Sequence, residues 1–181
     1  LPSALDNQRG PRTWPSAELR EESRLLIGET LLIYGFGTIA RRLVELLRPL
    51  RMNLVGVRRK PAGDEGIPIV ANGDEILNSA DHVVNILPAN RSTERYFDAR
   101  RFARMKTGCL FYNIGRGTTV DQPALIAALQ TGQVAEAYLD VTEPEPLPPD
   151  HPLWSIPNCF ITPHTAGGHA TEFERLARHF L

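Results

Sequence analysis

No stretch of this 181-residue chain approaches the length and apolarity of a membrane-crossing helix. Charge of one sign is lacking too. Lys and Arg number 20 and Asp and Glu 21, a formal net charge of −1, so no field of one sign points to nucleic acid or an anionic membrane. Cysteine is scarce. Cys109 and Cys159 are the two in the chain, each beside apolar residues in a predicted strand. Two buried free thiols in a cytoplasmic protein fit them better than a disulfide framework. There is no internal repeat and no secretory signal pattern, and no metal is expected. The chain also lacks an initial Met and ends inside a helical pattern over residues 170–181. It therefore reads as a fragment of a longer protein. What is present is 42% hydrophobic, enough for one domain with a proper core.

The most informative segment is Gly35-Phe36-Gly37-Thr38-Ile39-Ala40, directly after the apolar run Leu31-Leu32-Ile33-Tyr34. Strand, tight glycine turn and helix start in that order hold a dinucleotide pyrophosphate. Gly35 permits the turn, Gly37 lets the backbone approach the phosphates, and the small Ala40 lets the helix pack on the strand. The helix N-terminus then offers the anion unpaired N–H groups and a positive dipole end. A glycine pattern alone is weak. Here an amphipathic helix follows (Ile39, Leu43, Val44, Leu46, Leu47), then Pro49 and a second strand, Leu54-Val55-Gly56-Val57.

The rest of the chain alternates in the same way. Short helices are expected at 3–8 and 16–23. Strands are expected at 31–35, 53–57, 67–70, 82–87, 109–114, 135–141 and 159–162. Helices are expected at 38–48, 73–78, 97–103 and 121–131, the last opened by Asp121 as a cap. This pattern predicts an α/β fold, a doubly wound, mostly parallel sheet with helices on both faces. Residues 1–30 are polar, with Trp14 the large apolar anchor. They read as a separate segment before a dinucleotide-binding domain at 31–181.

The dinucleotide pattern places an acidic residue for the ribose hydroxyls at the end of the second strand. This chain has Val57-Arg58-Arg59-Lys60 there. A guanidinium pairs with a ribose 2′-phosphate where a carboxylate would repel it. Arg58 and Arg59 therefore predict NADP(H), with NAD(H) possible. The plainer alternative is a solvated basic loop.

Three loops follow predicted strands: Gly115-Arg116-Gly117, Asp140-Val141-Thr142-Glu143-Pro144-Glu145-Pro146, and Thr162-Pro163-His164. Strand C-termini of an open α/β sheet converge on one crevice. An Arg, a Glu and a His would meet there. That set suits hydride transfer between a nicotinamide cofactor and a 2-oxo or 2-hydroxy acid. The Arg holds the carboxylate, the His exchanges a proton with the substrate oxygen, and the Glu favours the imidazolium. Singly, each is as readily an ordinary loop residue.

Together with Tyr112-Asn113-Ile114-Gly115-Arg116-Gly117, Leu139-Asp140-Val141, Glu145-Pro146, Pro152-Leu153-Trp154 and Thr162-Pro163-His164, the turn at 35–40 carries a resemblance. From about Trp14 to its end, the chain resembles the cofactor-binding domain of the D-isomer-specific 2-hydroxyacid dehydrogenases, nearest the glyoxylate/hydroxypyruvate reductase type. The resemblance implies that Arg116 holds the substrate carboxylate, His164 is the acid/base and Glu145 its partner. It also implies that Asp140 binds the nicotinamide carboxamide and that Thr38 and Ile39 offer backbone N–H groups to the pyrophosphate. Leu87, Pro88 and Thr93 would lie near the adenosine, with Ile114 and Gly167 flanking the nicotinamide.

Two departures stand out. Thr38 occupies a position where the family commonly has Arg, and Ala40 one where it commonly has Gly. The family's second, substrate-binding domain has no counterpart in these residues, so the isolated piece is expected to bind cofactor without turnover. The resemblance further implies a homodimer. Trp14 is then either part of that contact or packed on its own domain. Other members act on phosphoglycerate, D-lactate, formate or phosphite. A corepressor-type module that senses dinucleotide without catalysis shares the same fold and residues.

Overall fold

A computed structural model describes residues 2–168 and 170–171. Most of the helix expected over 170–181 lies outside them. Among the described residues, seven strands form one parallel sheet. They are β1 (Thr30–Tyr34), β2 (Asn53–Val57), β3 (Ile69–Val70), β4 (His82–Asn85), β5 (Cys109–Asn113), β6 (Val134–Leu139) and β7 (Cys159–Ile161). Their order is β3-β2-β1-β4-β5-β6-β7. The chain leaves β1 in one direction for β2 and β3, and later returns to its other side with β4. Loops at the C-terminal ends of β1 and β4 therefore diverge, and a crevice opens between them.

The helices are α1 (Pro2–Arg9), α2 (Ser16–Glu22), α3 (Thr38–Leu47), α4 (Ala99–Arg104) and α5 (Gln122–Gln130). Alternation along β1 divides the core. Leu31 and Ile33 face α3, where Ala40 and Val44 are buried, while Leu32 and Tyr34 face the side of Phe102 and Leu125 from α4 and α5. Asp98 and Asp121 start α4 and α5, accepting the N–H groups of Arg101 at 2.9 Å and Ala124 at 3.1 Å. Each such cap is worth about 1 kcal/mol.

Several expected elements are shorter or different. The helix expected at 73–78 is a turn followed by a single 3-10 turn, Leu77–Ser79. The Asn72 side chain captures the Asp74 N–H at 3.0 Å, and the Asp74 carboxylate is drawn to Arg101 at 2.9 Å. These bonds compete with helix formation. The third strand shrinks to two residues because Pro68, which has no N–H to donate, stands before it. The fourth and sixth stop at Asn85 and Leu139 because the residues beyond turn into the crevice. Both cysteines are free, Cys109 buried and Cys159 half-buried. Trp14 does not pack on its own domain, since 92% of it is exposed.

Candidate active site

The glycine turn forms the floor. Gly35 sits at φ +91°, a conformation side chains rarely adopt, and a Cβ there would lie 2.8 Å from the carbonyl oxygen of Ile86. Gly37 opens onto free space and caps α3 without a side-chain hydrogen bond. The first N–H groups of α3, those of Thr38 and Ile39, thus have no acceptor within the helix. A Cβ on Gly115 would lie 2.7 Å from the carbonyl oxygen of Leu87. A cradle that side chains would fill, rimmed by unpaired N–H groups at a positive helix end, fits a dinucleotide pyrophosphate.

A polar network beneath the crevice sets its loops. Asn85 and Asn113 are register partners at the ends of β4 and β5. Buried Asn85 donates to the Asn113 side chain at 2.9 Å and to the Thr119 hydroxyl at 2.6 Å, and accepts the Leu87 N–H at 3.1 Å. Asn113 accepts the Gly115 N–H at 3.2 Å and donates to the Arg116 carbonyl at 3.3 Å. Thr93 closes the neighbouring loop, its hydroxyl donating to the Pro88 carbonyl at 2.6 Å.

The three ionisable residues expected to meet lie in the loops that follow β5, β6 and β7. Glu145 Oε2 is 2.8 Å from His164 Nδ1, and the Thr142 N–H donates to Glu145 Oε1 at 3.0 Å. Partial burial pulls the Glu145 carboxyl upward. The His164 bond, the Thr142 N–H and the charges of His164 and Arg116 outweigh it, so it ionises below the usual carboxylate range. The Arg116 guanidinium bonds the Gly115 carbonyl at 2.6 Å and reaches Glu145 through its charge.

His164 itself sits at φ +52°, held by its N–H on the Asp140 carbonyl at 2.9 Å. The Asp140 carboxylate accepts the Thr162 hydroxyl at 2.5 Å and the N–H groups of Thr165 at 2.9 Å and Ala166 at 3.0 Å. Burial raises this carboxyl, and those three donors together with the His164 charge lower it further, for a net depression.

The family model for the NAD binding domain of D-isomer specific 2-hydroxyacid dehydrogenases matches residues 3–166. The chain belongs to this family. Glyoxylate/hydroxypyruvate reductase B of Escherichia fergusonii is 38% identical over 156 residues, which are 82% of this chain and 48% of that protein. Phosphoglycerate dehydrogenase of Lactobacillus plantarum superposes with a TM-score of 0.84 at 36% identity, covering 98% of this chain and 61% of that one. A probable 2-hydroxyacid dehydrogenase of Rhizobium etli, in complex with NADP, HEPES and L(+)-tartaric acid, superposes at 0.86 and 28% identity, covering 99% and 56%. The chain spans about half the length of the Escherichia relative.

The two arginines at the basic end of β2 do not act together. Arg58 and Arg59 diverge, Arg58 to Glu65 at 3.2 Å and Arg59 to the Ser92 hydroxyl at 3.3 Å. Ile114 is half-buried and hands its N–H to the Asn85 carbonyl at 3.1 Å. Gly167 lies in an exposed turn with open space around its Cα. Sequence reasoning missed Asn85 and Glu65. A polar residue ending an otherwise apolar strand, in His82-Val83-Val84-Asn85 and again in Cys109-Leu110-Phe111-Tyr112-Asn113, is the signal that points to the buried network. Glu65 carried no comparable signal.

Proposed function

We propose that this chain is the cofactor half of an NADP(H)-dependent reductase of small 2-oxo acids, with glyoxylate and hydroxypyruvate as the substrates. The observation that carries the reading is the His164–Glu145 contact of 2.8 Å, with the Arg116 charge acting on the same carboxylate. The similarity to named glyoxylate/hydroxypyruvate reductases supports the substrate class.

Gly35, Gly37 and the N–H groups of Thr38 and Ile39 would hold the pyrophosphate. Leu87, Pro88 and Thr93 would lie along the adenosine, and Ile114, Asp140 and Gly167 around the nicotinamide. Arg58 and Arg59 would meet the ribose 2′-phosphate. When bound, the nicotinamide supplies the hydride that reduces the substrate carbonyl carbon.

The chain's own part is to bind, orient and move a proton. Arg116 holds the substrate carboxylate and polarises the carbonyl oxygen. His164, with Nδ1 fixed on Glu145, presents Nε2 and gives its proton to that oxygen, yielding the 2-hydroxy acid. Glu145 keeps the ring oriented through its contact with Nδ1. In the reverse direction His164 takes the proton back. Residues 1–30, with exposed Trp14, would contact a second copy in a homodimer, and residues 31–181 form the cofactor domain.

The test is glyoxylate-dependent oxidation of NADPH by the full-length protein. Turnover that prefers NADPH to NADH supports the reading. Tight dinucleotide binding with no turnover on any 2-oxo acid would replace it with a sensing module.

A further inference from the structure

Glu65 is a charged residue with its side chain only 3% exposed, seven positions beyond Arg58. Its carboxylate accepts the N–H of Ala62 at 2.6 Å, the N–H of Gly63 at 2.8 Å and Nη1 of Arg58 at 3.2 Å. The Ala62 bond leads in holding the carboxyl below its ordinary range. Burial opposes it, while the other N–H groups and the Arg58 charge assist.

The loop around Glu65 is fastened to α3 as well. Arg41, in the first turns of that helix, bonds the Asp64 carboxylate at 2.7 Å and its carbonyl at 3.0 Å, and Arg48 bonds the Gly66 carbonyl at 2.9 Å. The loop after β2 is thereby tied to the helix whose start forms the phosphate cradle.

A buried carboxylate beside a subsite for a phosphate has the wrong sign unless it is fully used by donors of its own. Here it is. It also takes up a single N–H of Arg58, and a guanidinium has five. The Arg58 side chain is 37% exposed, so it is anchored at one N–H while part of it stays open to a ligand. Fixing a long side chain before the ligand arrives removes an ordering cost from the binding step.

We infer that Glu65 is a positioning residue for cofactor choice, holding Arg58 and the loop at 61–66 ready for a ribose 2′-phosphate. This rests on the reading of Arg58 given above.

The test is calorimetric titration of the full chain with 2′,5′-ADP, which carries the phosphate, and with 5′-AMP, which does not. Wild type is compared with Glu65→Gln, Glu65→Asp, Arg58→Ala and the Arg58→Ala/Glu65→Gln double variant. Gln keeps the size but offers an N–H where Gly63 needs an acceptor. Asp keeps the charge but withdraws it from Arg58. Both single variants at Glu65 are expected to weaken 2′,5′-ADP roughly tenfold and leave 5′-AMP unchanged. The loss should vanish in the Arg58→Ala background.

Equal weakening of both nucleotides, a loss that persists without Arg58, or unchanged 2′,5′-ADP binding in both Glu65 variants would each overturn the inference. Arg58→Ala that leaves 2′,5′-ADP binding unchanged would instead remove the Arg58 reading beneath it.

Discussion

Gly117 lies directly against the backbone of Thr142. A Cβ at Gly117 would overlap the Thr142 carbonyl and sit 2.7 Å from the Glu143 nitrogen. The loop that presents Arg116 and the loop that presents Glu145 are therefore in backbone contact. Gln122 adds two bonds to the same place, accepting the Glu143 N–H at 2.9 Å and donating to its carbonyl at 2.6 Å. Gly117→Ala must push the loops apart. Overpacking of this kind costs about 1–3 kcal/mol, to be read as a lower midpoint in urea unfolding. In the complete enzyme kcat/KM should fall with it, because Glu145 moves relative to His164.

Arg116→Ala should abolish turnover in the complete enzyme and spare NADPH affinity. The side chain makes its hydrogen bond to the Gly115 carbonyl of its own loop, and not to the glycine turn at 35–40. Steady-state kinetics beside NADPH titration separate the two effects. Unchanged turnover would remove Arg116 from the mechanism.

His164→Gln and Glu145→Gln are expected to act as one lesion. Loss of a positioned acid/base costs about 10²–10⁴-fold in rate. Residues that work as a unit give non-additive losses. The double variant should then be no slower than His164→Gln alone. Losses that multiply would mean the 2.8 Å contact does not couple the two side chains in turnover.

Asp140 gives a pH signature. Its carboxyl is depressed in the folded chain, so the unfolded chain binds more protons in the acid range. The stability it confers is complete above the ordinary carboxylate range and is lost as pH falls through the folded value. Asp140→Asn offers an N–H to backbone donors that need an acceptor, a mismatch worth about 1–3 kcal/mol. Wild type and variant should differ at neutral pH and converge on acidification, as measured by urea midpoints across that range. A gap that is constant with pH would contradict the assignment.

The glycine turn was plain in the sequence because backbone demands are local. A strand end, a tight turn and a helix start leave their marks on neighbouring residues, and Gly35 and Gly37 stand where those marks put them. A mostly parallel sheet followed from alternation with helices, whereas the order of its strands is seen only in the structure. The pairing of Glu145 rather than Glu143 with His164 came from resemblance, since two glutamates in one loop look alike without coordinates. Asp140 was assigned to the cofactor, and nothing in its neighbours announced that its carboxylate would gather three donors from the loop at 162–166. Glu65 was invisible for a related reason. It lies in a loop without periodicity, one that Arg41 of α3 and Arg48 just beyond that helix fasten in place. The failed helix at 73–78 shows the same limit, as tertiary partners of Asp74 overruled a local preference.

The sheet order separates in the chain what it joins in space. The glycine turn and its helix are complete by residue 47, yet the imidazole arrives only after β7. A proteolytic piece ending before β6 could keep the cradle's residues and would own neither Glu145 nor His164. Retained nucleotide capture is therefore a poor witness to an intact chain, while proton delivery, which needs the loops after β6 and β7 at one edge of the sheet, reports on the strands that come last.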